Sequence, residues 1–168
     1  MFIEIEDDLK DLQTPANRRK ARETALQALY ALELSGNTVN TVTREFLGDA
    51  DKNNPVVVFT CKLIANTFTH REEYDDFIRA HSKNWKFDRI AILDRIIMRM
   101  AICEFVDFDD IPPKVSIDEA LELSKLYSTD KSSGFINGIL DAIYDDLKKQ
   151  EKINKIGRGC LDTSDFTK

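Results

Sequence analysis

The stretch Asp88–Phe105, DRIAILDRIIMRMAICEF, constrains the fold more than any other part of the chain. On a helical wheel of 3.6 residues per turn, Ile90, Leu93, Ile96, Ile97, Met100, Ala101 and Cys103 cover most of the circumference. Asp88, Arg95 and Arg99 share one narrow stripe. A helix apolar on almost every side must be wrapped by others, so it is predicted at the centre of the core. Its one polar edge is expected to reach water or a partner through the two arginines. Asp94 and Glu104 fall off that edge and, once buried, each needs an Arg, Lys or backbone partner; both are read as structural.

The remaining apolar patterns are helical as well. Thr14-Pro15 is a hydroxyl cap followed by proline at the first helical position, opening a helix that ends at Ser35-Gly36-Asn37. A shorter helix is predicted over Val39–Leu47, with Val39, Val42, Phe46 and Leu47 facing inward. Asn54-Pro55 repeats the cap-and-proline device ahead of Val56, Phe59, Leu63, Ile64 and Phe68. Pattern alone leaves open whether that helix runs on past Thr69-His70 or restarts. Ser82 to Lys86 is a short joint in which Trp85 is expected to anchor the entry to the central helix. Pro112-Pro113 enforces a non-helical crossing, and Ser116-Ile117-Asp118-Glu119 reads as a capping box opening the next helix. The last helix is predicted from near Ser132, with Gly138 inside it permitting close approach of another backbone. No segment alternates like a strand pair. The fold class is therefore all-α, with about six or seven helices.

Met1 to Asp11 holds five acids against one lysine, and reads as a flexible acidic extension covering residues 1–14. Residues 150–168 read as a flexible tail. The net charge is -6, yet charge is distributed unevenly: Arg18, Arg19, Lys20 and Arg22 follow the acids directly, and lysines recur near the other end. The acids from Glu4 to Asp11 lie near enough in sequence to compete with a polyanion for that basic cluster. There is no run of eighteen apolar residues and no basic stretch leading into an apolar one at the amino end, so neither a membrane span nor a signal peptide is expected. Cys61, Cys103 and Cys160 are odd in number and far apart, as reduced thiols of a cytoplasmic protein would be.

Chemistry is scarce. There is no nucleophile elbow, no glycine-rich phosphate loop and no CxxC spacing, and His70 and His81 are too far apart for a zinc helix. No catalytic residue, metal or cofactor is expected. Asp75-Asp76 and Asp145-Asp146 read as solvated helix faces. The best binding constellation is the first helix, where Arg18, Arg19, Lys20 and Arg22 seek phosphate. Arg19, Glu23, Gln27 and Tyr30 recur on one flank. Cation, amide and aromatic ring on one surface suit single-stranded RNA. The alternative is a solvated face in which Arg18 and Arg22, nearer the apolar side, bridge carboxylates of neighbouring helices.

Three blocks, NRRKARETALQALYALELSG, WKFDRIAILDRIIMRMAICEF and IPPKVSIDEALELSKLYSTDKSSGFINGIL, resemble in order and spacing the NusB family of bacterial transcription antitermination factors. The resemblance implies two small helical bundles, here about 15–81 and 82–149, around the central helix. It implies a non-enzymatic RNA-binding protein that binds boxA-type RNA of ribosomal RNA transcripts together with the ribosomal protein NusE and joins the RNA polymerase antitermination complex. Arg18, Arg19, Lys20, Arg22, Gln27 and Tyr30 are then the RNA-binding set. Asp130, Lys131, Ser132 and Phe135, ahead of and within the last helix, are the partner-binding set. Two other readings remain: the accessory domain of a ribosomal RNA cytosine methyltransferase, which wants a methyl-donor domain after it, and a homodimeric helical interaction module.

Overall fold

The computed structural model describes residues 15–155, so the acidic extension, the Thr14 cap, Cys160 and the end of the tail lie outside the described residues. Among those described are seven α-helices, one short 3-10 turn and no strand. The helices are α1 (Pro15–Ser35), α2 (Val39–Leu47), α3 (Pro55–Thr69), α4 (Arg71–His81), α5 (Ile92–Asp107), α6 (Pro113–Tyr127) and α7 (Ser132–Lys149). They fall into two compact units divided between Arg71 and Glu72.

In the first unit α1 packs on α3, and α2 packs on both. Ala25, Leu26 and Leu29 of α1, Val42 of α2, and Leu63 and Ile64 of α3 are buried in its core. Gly36 ends α1 with a φ of 67°, a conformation that glycine adopts without steric cost. Asn54 caps α3 as its sequence promised, its Oδ1 accepting from the Val56 amide at 2.9 Å. Phe46 departs from expectation: it is 37% exposed, although it lies one turn after the fully buried Val42 on the same face of α2. α3 and α4 are separate helices. Arg71 opens the second of them with its guanidinium 4.3 Å above the Phe68 ring and a 2.8 Å bond to the Phe68 carbonyl.

In the second unit α6 and α7 pack on α5 and on each other. α5 buries eleven residues and is the central helix the sequence announced, but it begins at Ile92, after a 3-10 turn over Phe87–Arg89 that takes Asp88 out of the helix. The polar edge does not reach water at Arg99. That residue is 6% exposed, and its Nε and Nη2 donate to the two carboxylate oxygens of Asp75 at 2.6 and 2.8 Å. Asp75 is accordingly not on a solvated face. Together with the Tyr74 hydroxyl, which donates to Asp107, this pair ties the middle of α4 to α5. The unit boundary thus falls ten residues ahead of the one expected near residue 81. Burial, helped by the nearby Cys103 and Asp107, raises the Tyr74 phenol far above its usual range and keeps it a donor.

Ser116 does not cap α6. Pro112, extended at ψ 138°, precedes Pro113 at the first helical position, so the helix starts three residues earlier than the expected box. Ser116 points inward instead, and its hydroxyl donates to Glu104 Oε2 at 2.6 Å, giving the buried Glu104 a hydroxyl partner, a type outside the Arg, Lys or backbone groups expected for it. Ser116→Ala is expected to cost roughly 1.5–3 kcal/mol, the range for a hydrogen bond to a charged group, read as a lower urea midpoint with an unchanged slope.

The chain does not fray at Lys149. It reverses at Glu151, and Lys152 Nζ lies 5.4 Å above the Phe77 ring. Lys155 Nζ then donates to the carbonyls of Glu104 and Phe108, both at 2.6 Å, satisfying the open end of α5.

Candidate nucleic-acid interface

α1 presents two faces with different chemistry. Alanines and leucines recurring at helical spacing bury one side against α3. The opposite side exposes Arg19, Lys20, Gln27 and Tyr30, with Leu34 one turn beyond. From Arg19 to Tyr30 this stripe is about 16 Å long. Glu23 lies along it, and Lys20 Nζ is 3.9 Å from Glu23 Oε2. Tyr30 is 37% exposed, enough to offer a ring face while its remainder packs.

Arg18 and Arg22 lie on another face. Their guanidinium carbons sit 5.1 and 5.4 Å from the centre of the Phe59 ring on α3, an arrangement favoured by the ring's negative face. Arg22 is only 4% exposed, so it is a packing residue and not part of the exposed stripe. The structure therefore brings together four of the six residues expected to bind RNA. The division was visible in the spacing, because positions 18 and 22 flank the buried Ala21 and Ala25. The Phe59 ring beside them was not, since it comes from another helix.

The expected partner surface divides in the same way. Asp130 and Lys131 are exposed in the turn between α6 and α7. Ser132 is 6% exposed and donates to Asp94 Oδ2 at 2.9 Å, so it supports the turn from beneath and offers no surface of its own. Phe135 is half-buried and meets Trp85 edge-on, ring centres 5.7 Å apart. Trp85 is 60% exposed. It does not anchor the entry to α5 but walls an open groove of about 660 Å³ with Lys83, Asn84 and Phe135. Gly134 and Gly138 line the same groove and no backbone approaches either, so the close approach expected at Gly138 is absent. Sequence reasoning missed this groove, whose only signal was a tryptophan in a polar joint.

Nothing in these sites suggests bond-making chemistry. No cluster of metal-ligating side chains occurs among the described residues. Burial pushes the Cys61 thiol up, away from the thiolate a nucleophile needs. No helix among them is long and apolar enough to cross a membrane.

The model of the NusB family matches residues 19–145. The chain belongs to the NusB family. It is 43% identical over 147 residues to the transcription antitermination protein NusB of Chloroherpeton thalassium, covering 87% of this chain and 70% of that relative. Among solved structures, NusB of T. maritima is similar with a TM-score of 0.72 and 32% identity, over 83% of this chain and 96% of that one. A crystal structure of the antitermination factors NusB and NusE in complex with double-stranded RNA is similar with a TM-score of 0.69 and 28% identity, over 79% and 99%. The matches span both units and confirm the all-helical NusB fold that the three sequence blocks implied.

Proposed function

We propose that this chain is a cytoplasmic transcription antitermination factor that catalyses no reaction. It binds boxA-type RNA of ribosomal RNA transcripts together with NusE, and joins the RNA polymerase antitermination complex. The exposed α1 stripe carries the reading: Arg19 and Lys20 supply phosphate contacts, Gln27 an amide able to pair with a base edge, and Tyr30 a stacking platform. Kinship with a protein solved in complex with NusE and RNA supports the choice of partners. Asp130, Lys131 and Phe135 form the surface offered to NusE.

The test is a titration of boxA and scrambled RNA with and without NusE, over a series of salt concentrations. Arg19→Ala and Lys20→Ala should each weaken binding and reduce the slope of log affinity against log salt by about 0.7, the single-strand value per phosphate contact. Equal affinity for boxA and scrambled RNA in the presence of NusE would refute the reading. Leu34, exposed on the same stripe at 64%, favours a second reading in which two copies pair through this face when RNA is absent. Light scattering with and without RNA separates the two.

A further inference from the structure

The turn between α6 and α7 is rich in hydroxyl residues, and their hydrogens have one consistent arrangement. Ser132 Oγ lies 2.9 Å from Asp94 Oδ2, 3.0 Å from Ser128 Oγ and 2.9 Å from Thr129 Oγ1. A carboxylate only accepts, so the single hydroxyl hydrogen of Ser132 goes to Asp94. Ser132 must then accept from both Ser128 and Thr129. One turn earlier, Ser124 donates to the Leu121 carbonyl and therefore accepts from Ser133 at 2.8 Å. The hydroxyls of Ser128, Thr129 and Ser132 all point inward and end on Asp94.

Asp94 is an expensive residue to place there. It is 6% exposed, and its Oδ1 has no hydrogen-bond partner among the described residues. An apolar side chain of similar size would fill the site at less cost. Its location offsets part of that cost, because Asp94 lies in the first turn of α5 and its partner Ser132 is the first residue of α7. Negative charge is favoured at both helix starts. α7 itself opens on Lys131 with no side-chain cap, so Ser132 and Asp94 are what hold its first turn.

We propose that Asp94 is a positioning residue for the partner surface. By drawing Ser132, Ser128 and Thr129 inward it pins the turn, and Asp130 and Lys131 at its exposed tip are presented in one shape. The assignment rests on the reading of this turn as the surface offered to NusE. Removing the carboxylate leaves three hydroxyls without a common acceptor, and the turn samples several shapes, each less suited to the partner.

Full-length protein and four variants, Asp94→Ala, Asp94→Asn, Ser132→Ala and the double substitution Asp130→Ala/Lys131→Ala, distinguish the possibilities. Three quantities are measured: affinity for NusE, affinity for boxA RNA alone, and amide hydrogen exchange at residues 129–133. Asp94→Ala and Ser132→Ala should weaken NusE binding roughly tenfold or more, with RNA affinity held within about twofold. Exchange at the turn should quicken in both. Asp94→Asn, whose side-chain carbonyl still accepts from Ser132, should recover most of the lost affinity, a rescue that loss of a merely structural contact would not follow. Should Asp94→Ala fail to fold, Ser132→Ala carries the same test. Unchanged NusE affinity in the Asp94 and Ser132 variants, beside weakened binding in the tip double variant, would overturn the positioning role and leave the partner surface standing. Unchanged binding in the double variant would remove the surface assignment, and the positioning role with it. Equal losses for NusE and RNA would mark general destabilisation and also overturn it.

Discussion

Replacing Arg99 by alanine is expected to destabilise the protein by roughly 3–5 kcal/mol, the largest effect of any single substitution considered for this chain. The reason is an asymmetry in burial. Arg99 and Asp75 have side chains 7% and 9% exposed and share a two-point contact. While both are present, their mutual attraction offsets the loss of water. Without the guanidinium, Asp75 keeps a buried carboxylate whose partner has gone. Against a total stability of about 5–15 kcal/mol for an ordinary domain, such a loss moves the urea midpoint far. The pair is not irreplaceable, however. Asp75→Leu combined with Arg99→Met removes both charges and should regain most of the stability, because well-packed apolar residues serve as well as a buried pair. A double variant as unstable as Arg99→Ala would show that the stabilisation comes from the contact itself and not from avoiding an uncompensated charge.

Tyr30→Ala is expected to weaken RNA binding by about 1–3 kcal/mol, a loss of between roughly 5-fold and 150-fold. The ring stands 37% exposed on the α1 stripe, and a base stacked on it would lose that platform entirely. Tyr30→Phe keeps the ring and should retain most of the affinity. The salt slope gives an independent check, since no cation is removed: Tyr30→Ala should lower affinity equally at all salt concentrations, whereas Arg19→Ala should lose most at low salt. A thermal melt accompanies both, because the packed part of the ring also contributes to the fold. Parallel loss in Tyr30→Phe would remove stacking as the explanation.

The helices were legible because their boundaries are written in local chemistry. Val39–Leu47, the Asn54 cap and the start of α7 all follow from residues within a few positions of one another. The errors share a different origin. Ser116 has the spacing of a cap, but its hydroxyl is taken by Glu104, twelve residues earlier in the chain. Arg99 has the periodicity of a surface position, but Asp75 lies opposite it on another helix. Arg22 and Phe59 repeat the pattern, and so does Lys155 with the end of α5. A buried charge is invisible to hydrophobic periodicity, which counts it as polar and assigns it to water. The candidate site was readable to the same extent. The exposed stripe of α1 follows from one helix alone, while the groove beside Trp85 needs two segments brought together by the fold.

The bond from Lys155 to the carboxyl end of α5 bears on the order in which the protein takes shape during synthesis. A ribosome delivers the chain from its amino end, and α1, α2 and α3 pack on one another within the first unit, which ends at Arg71. α5 is made early in the second unit, yet the carbonyls at its end wait for a lysine translated some fifty residues later. The first bundle can settle while translation continues, and the second closes only when nearly all of its polypeptide has emerged.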